Sequence, residues 1–185
     1  MSLEQRTVVW RGIAYPSMEF FNVHQHAGGW LLTGSVVAVI DDLPLQVNYE
    51  VGCDAGWQTS HVDLTLVTAA GERRRRLEAP GDGRWLQTGQ PIAEVAGCID
   101  IDLGITPATN LLPIRRLNLA VGQSADVVAT WVRFPTLASQ PLSQRYTRLT
   151  EDSYRYESDT GFSADLTVDA DGLVTTYPGG WERVV

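Results

Sequence analysis

The strongest constraint on this chain is a two-residue hydrophobic period that recurs along its length. In SHVDLTLVT, residues 60–68, Val62, Leu64 and Leu66 fall on one face of an extended segment, and His61, Asp63, Thr65 and Val67 fall on the other. Side chains alternate across a strand but recur every 3.6 residues around a helix, so this spacing specifies β-strand. RYTRLT, SYRYES, FSADLTVD and LVTTY repeat the pattern from Arg145 onward. Turn-forming clusters separate the runs: His26 to Gly29, Asp41-Asp42, Ala79 to Gly83, Asp169 to Gly172 and Tyr177 to Gly180. About fourteen strands at spacings of roughly 8–12 residues read as an antiparallel, all-β chain. GSVVAVI and ADVVATWVRF are more continuously apolar and are expected to be covered on both faces.

Helix signals concentrate in GCIDIDLGITPATNLLPIRRLNL, residues 97–119. Thr106 is a candidate cap and Pro107 a candidate first helical residue. Pro113 limits the length, because an interior proline costs about 3 kcal/mol. The expectation is one short helix near 107–116. A flat sheet of so many strands would leave a bare face and two edges, so the sheet should curl into a barrel or roll with the helix filling its interior. There is no composition shift, linker or internal repeat, and residues 1–185 read as one domain.

Charge excludes some partners. The formal net charge is −8, and all fourteen basic residues are arginine. Nucleic-acid binding rests on neutralising phosphates, and docking on anionic lipid uses polybasic segments, so neither fits an acidic chain. Cys53 and Cys98 are the only cysteines and form no CxxC, which suits reduced thiols in a cytosolic protein. The opening MSLEQRTVVWRG has no apolar h-region, and LLTGSVVAVI is about half the length of a membrane span. A cytoplasmic protein without a transmembrane segment is expected.

Several constellations bear on chemistry. On a strand, Cys98, Asp100 and Asp102 share a face opposite Ile99, Ile101 and Leu103. Two carboxylates about 7 Å apart along a strand could hold a divalent metal or do acid/base work. They could equally pair with Arg115 and Arg116, whose planar guanidinium forks match carboxylates. The run ERRRR, residues 72–76, reads as a charged edge strand that resists aggregation. DADG at 169–172 lacks the twelfth-position carboxylate of a calcium loop and reads as a hairpin turn. His24 and His26 share a strand face with no third ligand near them in sequence, so a half-exposed face is the simpler reading. No nucleophile elbow, zincin, phosphate-loop or dinucleotide motif occurs. No cofactor or metal is called for. Tryptophans and tyrosines are spread along the chain, Trp131 and Tyr146 among them, and such rings can stack on sugars while Asp, Asn and Arg meet the hydroxyls.

The stretch 97–119 resembles the signature of a bacterial family described as putative glycolipid-binding proteins. YEVGCDAGWQT (49–59), WVRFPTL (131–137), QRYTRL (144–149), YRYES (154–158) and DGLVTTYPGGWER (171–183) agree in order. The resemblance covers nearly the whole chain. It implies a spiral β-roll of about fifteen strands wrapped round one helix, and a homodimer. The family supplies no catalytic residues to carry across. Its implied activity is binding or carriage of an amphipathic small molecule such as a glycolipid, without catalysis.

Three readings follow. In the first, an apolar cavity takes an acyl chain while Asp100, Asp102, Asn110, Arg115, Arg116, Trp131 and Tyr146 meet the polar head. The second is a metal-assisted hydrolase of a phosphorylated substrate, using Asp100 and Asp102. The third is an interaction or scaffold protein with no small ligand.

Overall fold

A computed structural model of the protein describes residues 5–185. The first half is a meander in which each strand pairs antiparallel with the next: β1 (Gln5–Gly12), β2 (Ser17–His26), β3 (Gly29–Ile40), β4 (Leu43–Cys53), β5 (Thr59–Thr68) and β6 (Gly71–Glu78). Two short strands, β7 (Leu86–Gln87) and β8 (Gln90–Pro91), extend it. The second half comprises β9 (Asp100–Leu103), β10 (Ser124–Val132), β11 (Ser139–Arg148), β12 (Ser153–Ser158), β13 (Ser163–Val168), β14 (Val174–Tyr177) and β15 (Trp181–Arg183). Pairing of β1 with β15 joins the halves into one open fifteen-stranded sheet, in the order 8-7-6-5-4-3-2-1-15-14-13-12-11-10-9. Among the described residues, only β9 and β10 run parallel, because the helical segment lies between them.

Local chemistry sets the hairpins. The loops Ala27-Gly28 and Asp41-Asp42 each hold two residues at positive φ (47° and 82°, then 50° and 62°). This is the primed turn whose twist matches the flanking strands. The two-residue period appears as predicted: Val62, Leu64 and Leu66 are buried while their neighbours are only partly covered. The continuously apolar runs differ from expectation. Val37 on β3 is 61% exposed and Val128 on β10 is 42% exposed, so these strands are covered on one face only. Their second apolar rows lie on the outer face of the curl, away from the helix that covers the inner one.

The helix stands close to where Thr106, Pro107 and Pro113 placed it. Thr106 Oγ1 accepts the Ala108 N–H at 3.0 Å, one 3₁₀ turn (Ala108–Asn110) follows, and α1 runs from Leu111 to Leu117. Pro113 sits in the first turn of α1, where a missing N–H breaks no helical bond. Asn118 closes the helix at φ 44°, a left-handed conformation that asparagine tolerates. Leu111 and Leu112 join the apolar core of β1–β6, and Ile114 joins that of β11–β14, so one helix covers both halves of the sheet. The interior is packed: Ile105, Leu111, Leu112, Leu103 and Leu32 are each at most 1% exposed.

The arginine run of β6 acts on the fold. Arg73 and Arg75 donate to the backbone carbonyls of Pro135 and Leu137, and Arg75 also reaches Ser139 Oγ at 2.7 Å. Arg74 pairs with Glu72 and Arg76 with Asp63. The charged strand therefore ties one meander to the β10–β11 connection of the other.

A second tie lies inside. Glu19 on β2 is buried and accepts hydrogen bonds from Tyr49 Oη on β4 and, at 2.8 Å, from Thr106 Oγ1 beside the helix. Tyr49 reaches β2 across β3 because Gly34 lies between them. A Cβ there would stand 2.2 Å from the Tyr49 ring. Gly34→Ala should cost about 1–3 kcal/mol of stability by displacing that ring, measured by urea unfolding. Burial pushes the Glu19 carboxyl up from 4.5 to about 7, against the two hydrogen bonds. The folded state thus holds this proton more tightly than the unfolded chain does. The associated stability is complete below about pH 4.5 and is lost as pH rises towards 7, at up to about 1.4 kcal/mol per pH unit. Glu19→Gln should flatten that slope in unfolding curves recorded from pH 5 to 7.5.

Candidate functional site

Strand β9 sets the site. Ile101 and Leu103 face the core, so Asp100 and Asp102 share the opposite face, as their spacing requires. Their partners differ. Asp100, 1% exposed, takes two parallel hydrogen bonds from Arg116 on α1: Nε to Oδ1 at 3.0 Å and Nη2 to Oδ2 at 2.5 Å. Burial raises the Asp100 carboxyl, and the guanidinium opposes that rise. Among the described residues, Asp102 Oδ2 accepts only from the neutral Gln144 Nε2 of β11, at 2.6 Å. Desolvation pushes Asp102 up to about 6.

Asn110, at the start of α1, is fixed at both ends. Its Oδ1 accepts from Tyr146 Oη at 2.8 Å and its Nδ2 donates to the Pro107 carbonyl at 3.0 Å. Trp131 stands opposite Asp102 in the parallel β9–β10 register. Asp102, Asn110 and Trp131 line one cleft of about 150 Å³, together with Thr106, Tyr156, Phe162, Tyr177 and Trp181. Tyr146 lies behind Asn110, and the Asp100–Arg116 pair holds β9 against α1. Arg115 is placed differently. Its guanidinium stacks on Trp57 at 5.3 Å and lines a separate hollow of about 820 Å³ with Asn118, Arg148, Asp152 and Tyr154.

Sequence patterning did not assign Gln144, Phe162 or Tyr177 to the site, and left Tyr156 and Trp181 as scattered aromatics. The alternation of β12 gives the facing of Tyr156. Its meeting with β9 follows only from the curl of the sheet. As for metals, Asp100 is committed to Arg116 and does not converge with Asp102 on a shared cation. Glu50, His61 and Asp63 place ligand atoms within 4.8 Å of one another between β4 and β5, with Asp63 held by Arg76. His24 Nδ1 meets the Asn22 amide oxygen at 3.1 Å.

Fold and site together define a class: an open β-roll closed over one short helix, with an acid-bearing aromatic cleft where helix and sheet meet. The chain belongs to the family described as "Putative glycolipid-binding", whose model matches residues 7–183. It is similar to a DUF1089 family protein from Pseudomonas aeruginosa known from a crystal structure, with 34% sequence identity and a TM-score of 0.84 over 91% of this chain and 92% of that one. Comparison with curated proteins gives no match.

The ion pair yields a direct test. Asp100→Asn keeps the shape but leaves Arg116 without its counter-charge. The expected loss is about 3 kcal/mol, the low end for breaking a buried pair, because Arg116 retains some solvent contact. The shift of the urea midpoint measures it.

Proposed function

We propose that the protein binds an amphipathic glycoconjugate, a glycolipid by class, and acts by holding it, without catalysis. The observation that carries this reading is the cleft. Its aromatic walls and its Asp102 and Asn110 side chains, in about 150 Å³, suit a single sugar ring, whose faces stack on aromatics and whose hydroxyls need polar partners. The family description supports the same ligand class. Because the interior of the roll is packed, the acyl chain leaves over the cleft rim, where the 44% exposed Phe162 offers apolar surface.

In this reading the whole chain acts as one domain, and two copies pair through the outer apolar strip of Met18, Phe20, Val37 and Val39, all more than a third exposed. Its buried free thiols, Cys53 and Cys98, suit a reducing cytoplasm. Among the described residues, no helix is long and apolar enough to cross a membrane.

Native mass spectrometry against a glycolipid extract should show a retained adduct. Trp131→Ala should weaken sugar binding about tenfold or more in a tryptophan-fluorescence titration, in line with the loss of one stacking ring. A protein that stays bare and shows no fluorescence change with any glycoside would overturn the reading.

A further inference from the structure

The cleft carries a charge imbalance that a neutral sugar leaves unmet. Among the described residues, Asp102 forms no ion pair and has only the Gln144 amide as a partner. Asp100, two residues away, is neutralised by Arg116. Thr106 lines the same cleft and donates its hydroxyl proton to Glu19, a buried carboxyl whose Oε2 has no hydrogen-bond partner. Of these acids, Asp102 is the one that lines the cleft itself, and its carboxylate creates negative potential there.

The walls have matching chemistry. Tyr177 contacts Trp181, Phe162 and Tyr156 with ring centroids 5.4, 6.0 and 6.2 Å away, and Tyr156 and Phe162 are 6.2 Å apart. Trp131 stands across from Asp102 in the register. Aromatic faces attract cations within about 6 Å, and a cage of rings around a carboxylate is the arrangement that recognises ammonium groups. Trp131 already takes a cation: the Arg133 guanidinium stacks on it at 5.6 Å without reaching Asp102. A partly buried, desolvated carboxylate with no counter-charge is costly, and a bound cation offsets that cost.

We propose that the cleft is a site for a small organic cation, an ammonium group on the head of the ligand, with Asp102 as its counter-ion and the surrounding rings as its cage. This rests on the cleft being the ligand site and names the chemistry of what enters it. About 150 Å³ admits either a methylated ammonium or the amine-bearing side of a sugar ring. The ammonium could therefore come from a lipid headgroup or from an amino sugar. Because the bound form needs the carboxylate, binding strengthens as pH rises through about 6.

The test is a calorimetric or fluorescence titration at pH 7.5 and pH 5 with four probes: choline, its neutral isostere 3,3-dimethylbutan-1-ol, glucosamine and glucose. At least one cation should bind tenfold or more tightly than its neutral counterpart at pH 7.5, with the advantage shrinking at pH 5. A lead for choline assigns the lipid headgroup, and a lead for glucosamine assigns the amino sugar. Asp102→Asn should abolish the advantage. If that variant fails to fold, Phe162→Leu supplies the second readout, because this exposed ring can be removed without opening the core. It should weaken the cation several-fold while leaving the unfolding midpoint in place. Equal binding of cations and neutral isosteres overturns the proposal but leaves the sugar reading standing, as does a cation advantage that survives Asp102→Asn. Absence of binding by all four overturns the proposal, and the glycolipid adduct sought by native mass spectrometry decides the sugar reading separately.

Discussion

A fifteen-stranded sheet with one apolar face must cover that face with its own chain, and the segment from Gly104 to Leu119 does so. Most other features follow from keeping it in place. Arg116 holds the end of α1 to β9 through Asp100, and Thr106 holds the start of the segment to β2 and β4 through Glu19 and Tyr49. Both ties are polar and largely buried. Such contacts fix one arrangement among the many that apolar packing would tolerate.

These ties also create the site. Holding β9 against the helix leaves Asp102 facing a cleft, while pairing of β1 with β15 brings Tyr177 and Trp181 round to the same place. The two acids of β9 start as chemical equals and end as opposites. Asp100 is neutralised and structural. Asp102 is desolvated, held by one amide, and lines a cleft it shares with several rings. That contrast comes from a single side chain, Arg116, being within reach of one and not the other.

Much of this was legible in residue order. The alternation at Val62, Leu64 and Leu66 gave strand and facing, and Thr106, Pro107 and Pro113 delimited the helix. Asp102, Asn110 and Trp131 were candidates and do share one cleft. The continuously apolar runs were misleading, because hydrophobicity on both faces suggests cover on both, and Val37 and Val128 have none on the outer side. Arg115 looked interchangeable with Arg116. On a helix, adjacent residues point about 100° apart, so only one of the two can face β9. The ERRRR strand read as an edge guard, yet Arg73 and Arg75 reach carbonyls more than sixty positions away.

The sequence by itself determined the strands, their turns, the short proline-limited helix and the curl that an uncovered face demands. These depend on side-chain period and backbone chemistry, which act over a few residues. The tertiary structure alone decided which charges pair and which stand open, and which aromatics meet. Contacts between Glu19 and Thr106 or Asp102 and Gln144, and the cleft that Trp131 shares with the β14–β15 hairpin, join distant parts of the chain. Their geometry exists only once β1 has paired with β15 and the sheet has closed over its helix.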